Sequence, residues 1–164
     1  MRIMANQRSQ SFLPLDPAWK SLLECAMVEV FEMMAGVRPE VIGSPEGEPR
    51  GEQMAMVGMA GALCGMTTFR CSKAMASKLA SLMLGEEAAS SPSSARDAVG
   101  ELCNMIAGNF KSKVSSLANH CMLSVPTVIT GDDYSISAVD PSEGFTIAMT
   151  LHSEIIWVTL ITHV

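Results

Sequence analysis

Apolar and polar positions along the chain follow two different periods, and the change between them marks the elements. Trp19, Leu22, Leu23, Ala26, Met27, Val30, Phe31 and Met34 recur at helical spacing, which gives a first helix one apolar face. Asp16-Pro17 in front of it reads as an N-cap followed by Pro at the first helical position, and Gly36 as the stop. The run GSPEGEPRG from Gly43 to Gly51 is a turn-rich loop. Extended runs follow at about 53–60 and 63–70, with Gly61-Ala62 as a hairpin turn. Met75, Leu79, Leu82 and Met83 then mark an amphipathic helix over 72–84, ended by Gly85. Beyond a Ser-rich loop, a cap at Ser91-Pro92, or at Ser94 with Asp97, opens a third helix that runs to about residue 119. The remainder is strand-like at 122–130, 134–139, 144–152 and 155–163.

Strands joined by short turns pair antiparallel, so the order predicts an α+β fold: an antiparallel sheet with long helices packed on one face. The absence of βαβ alternation disfavours a Rossmann-type sheet. Each half shows a long helix followed by a hairpin, a faint duplication in which the halves share no motif. A length of 164 residues suits one compact domain. The expected division is a flexible segment over 1–15 and a single domain over 16–164.

Composition narrows the function classes. With 48% hydrophobic residues and a mean hydropathy of +0.27, the chain has enough apolar side chains for a full core. Fourteen methionines point chiefly to core filling, although Met also serves at protein-binding surfaces. A net charge of −6, with the basic residues scattered, argues against nucleic acid. The longest apolar run, from Met54 to Met66, holds three glycines and is too short to span a membrane. No signal-peptide stretch opens the chain, so a cytoplasmic protein is expected. Cys25, Cys64, Cys71, Cys103 and Cys121 form no CxxC pair and are odd in number, as expected of reduced, mostly buried thiols. His120, His152 and His163 lack metal-ligand spacing, so no metal site of the chain's own is expected.

The third helix carries the candidate chemistry. At about 100° per residue, Val99, Leu102, Cys103, Ile106, Phe110, Val114 and Leu117 fall on one side. Asp97, Glu101, Asn104, Gly108, Lys111 and Ser115 fall opposite. Glu101 and Asn104, at i and i+3, share that face with Cβ atoms roughly 5–6 Å apart. Asn is a poor mid-helix residue because its amide competes for backbone hydrogen bonds. Gly108 costs about 1 kcal/mol relative to Ala and leaves the backbone beside Asn104 open to another molecule. Met105 borders the stripe as a soft apolar contact. These features suit a docking face, with Asp97, Met105, Gly108 and Lys111 around the Glu/Asn pair. From pattern alone, an ordinary solvated surface is favoured over it.

The segment Glu101-Leu-Cys-Asn104-Met-Ile-Ala-Gly108-Asn109 resembles the active helix of the CheC/CheX/FliY chemotaxis phosphatases, the CheX type most closely. The hairpin from Val57 to Gly65 is similar to the family's Gly-rich hairpin. The stretch from Ser124 to Gly131 is similar to its Pro-Pro-Thr-Val strand, with Val125 in place of the first Pro. The resemblance runs from about Trp19 to the C-terminus. CheC-like members carry a second Glu-x-x-Asn on the first helix, whereas Glu24 and Glu29 here have no Asn three residues on. One active face per chain is therefore implied.

The resemblance implies a phosphatase of phospho-aspartate on a CheY-like response-regulator receiver. It also implies a homodimer formed through the sheet, and Mg²⁺ held by the receiver with no cofactor of the chain's own. An acyl phosphate is already activated, so its hydrolysis needs mainly a positioned water and charge stabilisation. An Asn amide can orient that water but has no useful basicity. Asn104 is thus the expected water-orienting residue, and Glu101 the one that docks to the receiver's active-site lysine. Two other classes stay open: a non-catalytic receiver-binding adaptor, and a flagellar-switch-like interaction module.

Overall fold

The computed structural model describes residues 14–44, 46–86, 91–136 and 142–163. Nearly all of the expected flexible segment over 1–15 lies outside these residues. Three helices and seven strands follow in the order α1 (Trp19–Ala35), β1 (Glu40–Gly43), β2 (Gln53–Gly61), β3 (Gly65–Cys71), α2 (Lys73–Leu84), α3 (Pro92–Lys113), β4 (Cys121–Leu123), β5 (Thr127–Thr130), β6 (Ser142–Leu151) and β7 (Glu154–His163). The expected α+β class holds, with helices packed on one face of a wholly antiparallel sheet.

Local chemistry accounts for the helix ends. Asp16 Oδ1 accepts from the Ala18 amide at 2.9 Å, so Asp16 caps a lead-in turn and α1 proper starts at Trp19. Gly36, at φ +65°, closes α1 in the left-handed conformation that glycine reaches without a Cβ penalty. Ser72 caps α2 through the Met75 amide, and Ser91 caps α3 through the Ser94 amide with Pro92 at the first helical position.

The sheet order is β1-β6-β7-β3-β2-β4, with β5 also on β2. This arrangement bears out the duplication. The hairpins β2–β3 and β6–β7 meet at the centre, where β3 pairs with β7. The strand after each long helix crosses to the other half's hairpin, β1 to β6 and β4 to β2. α1 and α3 are therefore pseudo-equivalent. Between helix and sheet, Phe31 of α1 stacks on Phe69 of β3 at 6.2 Å, and between the two long helices Trp19 of α1 meets Phe110 of α3 edge-on at 6.0 Å.

Five details depart from the sequence reading. β1, left unassigned, forms one edge of the sheet. The β2–β3 connection is wider than Gly61-Ala62, since Met59 pairs with Gly65. α3 stops at Lys113 rather than near 119, because Val114 turns extended (φ −97°, ψ 104°), and a separate turn buries Leu117. The single strand expected over 122–130 is two. Three residues, Ser124-Val125-Pro126, oppose Val57 and Gly58 between the two registers, which is a β-bulge at the edge holding a Pro with no amide to donate. Of the strand expected over 134–139, residues 134–136 are irregular and the rest lie outside the described residues. Tyr134 leaves the ladder to bond with Gly51 O and to stack on Arg70.

Candidate protein-docking face on the third helix

Leu102, Cys103, Ile106 and Phe110 are fully buried between the sheet and α1, which fixes the rotation of α3 about its axis. That rotation turns the opposite stripe outward. Asp97 and Glu101 are exposed, while Asn104, Met105, Gly108 and Lys111 are half-buried along the same side. The stripe read from the sequence thus holds from Asp97 to Lys111, whereas Ser115 lies beyond the end of α3 and off this face. Neither the Glu101 carboxylate nor the Asn104 amide bonds to another group among the described residues. Their hydrogen-bonding capacity stays available to an incoming molecule.

The two glycines of α3 differ in what they permit. A Cβ on Gly100 would lie 3.2 Å from Val128 Cγ2 and 3.7 Å from Pro126 Cβ, so this glycine lets the edge strand pack against the helix. A Cβ on Gly108 would meet only Leu123 Cδ1, at an ordinary 3.9 Å. The fold tolerates a side chain at Gly108 and does not have one. A shallow trough of about 520 Å³ runs past this point, lined by Asn104, Met105, Gly108, Asn109, Lys113 and Leu123 among others.

One wall of the trough is tied to α1. Glu29 accepts from Asn109 Nδ2 at 3.1 Å and from Lys113 Nζ at 2.8 Å, and the Cys25 thiol donates to it at 3.3 Å. The Lys113 ammonium, with help from Cys25 and Asn109, holds the Glu29 carboxyl below the usual carboxylate range. Glu29 raises Lys113 in turn. Deep in the core, burial pushes the Cys103 thiol up to about 12. Cys71, Cys103 and Cys121 are buried and all five thiols are free, as expected. Among the described residues no group of His, Cys, Asp and Glu is placed to hold a metal ion. No helix among them is long and apolar enough to cross a membrane.

Three features escaped the sequence reading. Gly100 is a second helical glycine directly before Glu101, a visible signal with no pattern to explain it. Asn109 stood in the motif without a role until α1 was placed against it. The bulge beside α3 is set by strand register, which no local pattern reports.

The pseudo-symmetry tests the expectation of one active face. Aligning the buried Leu23, Ala26, Met27 and Val30 of α1 with Val99, Leu102, Cys103 and Ile106 of α3 puts Cys25 and Val28 at the places of Glu101 and Asn104. The first helix thus carries no Glu/Asn pair there.

Fold and site together define a one-sheet α+β domain with a Glu/Asn-bearing helix face turned outward. The family model described as chemotaxis phosphatase CheX matches residues 53–150. The chain belongs to the CheX family of chemotaxis phosphatases. A chemotaxis protein CheX from Desulfovibrio desulfuricans superposes with a TM-score of 0.78 at 26% identity, covering 89% of this chain and 99% of that one. CheX from Vibrio vulnificus matches with a TM-score of 0.76 at 18% identity, over 92% and 100% of the two chains. The Borrelia burgdorferi CheX–CheY–BeF3–Mg²⁺ complex matches with a TM-score of 0.74 at 22% identity, over 89% and 98%. A search among curated proteins found no match.

Proposed function

We propose that this protein hydrolyses the phospho-aspartate of a CheY-like receiver domain, with Asn104 orienting the attacking water and Glu101 docking to the receiver's active-site lysine. The observation that carries the reading is the pairing of Glu101 and Asn104 on one outward stripe of α3, neither bonded to another group among the described residues. The family's description as a chemotaxis phosphatase supports it. So does the CheX–CheY complex formed by the Borrelia relative with BeF3 and Mg²⁺.

The chemistry divides between the two proteins. An amide carries one acceptor and two donors and stays neutral, so Asn104 aims a water without deprotonating it. In-line attack on an acyl phosphate needs that alignment more than it needs a base. A carboxylate beside a phosphoryl group is repelled unless a cation lies between, and the receiver lysine supplies one to Glu101. Mg²⁺ belongs to the receiver in this scheme, and the chain brings no cofactor. With a cytoplasmic receiver as its substrate, this protein acts in the cytoplasm on this reading. Homodimerisation through the sheet belongs to the same reading. Among the described residues of the face away from the helices, Met56, Met66 and Ile161 are half-buried and Ile155 is exposed, beside a row of Thr68, Thr159 and Thr146, a mixed surface that a second sheet would cover on this reading.

The test is phosphate release from phosphorylated receivers by wild type and Asn104→Ala. Wild type is expected to accelerate release, and Asn104→Ala to lose about 10²-fold or more while still binding. Equal rates for the two proteins would remove the mechanism. Binding without turnover by the wild type would identify an adaptor instead.

A further inference from the structure

The edge strand runs alongside the active stripe in a way that singles out one further residue. Leu123 borders the trough beside Asn104 and Gly108, and Pro126 packs against Gly100. Gly100 and Gly108 are about 12 Å apart along the helix axis. The chain between Leu123 and Pro126 therefore passes next to the stretch that holds Glu101 and Asn104. That chain is the bulge. Its Ser124 amide donates to Gly58 O at 2.9 Å, the Gly58 amide donates to Ser124 Oγ at 2.8 Å, and Ser124 Oγ donates to Val125 O at 2.9 Å. These three bonds fix the backbone that presents Val125, a residue 83% exposed.

A lone exposed valine is ordinary. This one is held rigidly beside a reactive pair, on an element bent away from the ladder to put it there. Glu101 and Asn104 engage features that all phosphorylated receivers share under the reading above, namely the phosphoryl group and the lysine beside it. Such contacts cannot choose between receivers, so selection falls to the surface around them.

We infer that Val125 is a specificity-determining residue, an apolar shoulder next to Glu101 and Asn104 against which an apolar side chain of the receiver packs. Ser124 is its positioning residue. The inference rests on the phosphatase reading and adds to it the contact that selects the partner.

The experiment measures KM and kcat of the full chain on each phosphorylated CheY-like receiver of the source genome. Wild type is compared with Val125→Asp, Val125→Pro and Ser124→Ala. A contact made equally in the ground and transition states sets KM and leaves kcat alone. Val125→Asp is expected to raise KM about tenfold for the preferred receiver with kcat within about twofold. Val125→Pro keeps an apolar side chain and donates no amide, which Val125 does not use in the described structure, so KM stays within about twofold. Ser124→Ala gives an intermediate rise in KM. Thermal midpoints of both Val125 variants should match wild type, since the side chain is exposed. Wild-type turnover with an unchanged KM in Val125→Asp overturns the shoulder and leaves the phosphatase reading standing. A fall in kcat and thermal midpoint at constant KM assigns the residue to structure only and also overturns it. Failure of wild type to act on any receiver removes both.

Discussion

Gly108→Ala separates what the fold needs from what a partner needs. Gly108 lies inside α3, where glycine costs about 1 kcal/mol relative to Ala. The new Cβ would sit 3.9 Å from Leu123 Cδ1, a normal contact with no overlap to offset that gain. Stability should rise by up to about 1 kcal/mol, and for a chain of this size that raises the thermal midpoint by about 2–4 °C. Function should move the other way. The methyl group would stand on the stripe beside Asn104, where a receiver docked as proposed above would approach the backbone. Displacing the docked geometry by about 1 Å can cost on the order of 10²-fold in rate. Gly100→Ala is the internal control, because its Cβ would fall 3.2 Å from Val128 Cγ2 and crowding there consumes the propensity gain. The assay pairs calorimetry with phosphate release from a phosphorylated receiver. A more stable Gly108→Ala protein with wild-type turnover would refute the reasoning that this glycine is kept open for a partner. A lowered midpoint would refute the packing argument.

Further outcomes test the surroundings of the site. Glu101→Ala should raise KM for the receiver and shrink the salt dependence of binding, measured by titration at two ionic strengths, because it removes a charge-steered contact. Glu29 has a lowered folded pKa, so the stability it contributes is present above its ordinary value of 4.5 and lost as pH falls through the lower, folded value. Glu29→Gln should therefore flatten the acid limb of a stability–pH profile, followed by thermal melts from about pH 6 down to pH 3. Lys113 has the opposite sense: its raised pKa gives stability that is lost as pH climbs through it. In native protein a thiol reagent should modify Cys25 first, since it is exposed, and spare Cys71 and Cys103, whose thiols burial pushes up to about 12. Mass spectrometry of the labelled peptides reads the order.

Where periodicity and caps agree, the sequence predicts this fold well. α1 and α2 lie almost where their apolar spacing and their Gly stops put them, and the buried face of α3 follows the helical pattern from Val99 to Phe110. Errors cluster where a tertiary contact decides. Val114 leaves helical geometry so that the next turn can bury Leu117, and nothing in its neighbours announces that. The bulge at Ser124-Val125-Pro126 exists because β4 and β5 pair with β2 in registers one residue apart. β1 is four residues long and gains its strand character only from β6. The candidate site was legible to a similar degree. Its stripe could be laid out on a helical wheel, but which neighbouring elements frame it could not.

The pseudo-symmetry of the sheet sharpens what one active face means. Two long helices occupy equivalent places over equivalent hairpins, yet only α3 carries a Glu/Asn pair, and α1 has Cys25 and Val28 at the matching positions. Glu29, one turn beyond Cys25, accepts instead from Asn109 and Lys113 and ties α3 to α1. The first helix thus works as a brace for the second, holding the C-terminal turns of α3 while the middle of that helix stays free. On the far flank, Gly100 brings the edge strand in until Pro126 and Val128 touch the helix. Glu101 and Asn104 are left between a braced wall and a clamped bulge, with no bond to either. On the phosphatase reading proposed above, Asn104 can aim a water but not deprotonate it, so the pair would act only once a partner surface closes over it. On that reading the other half of the active site arrives with the receiver.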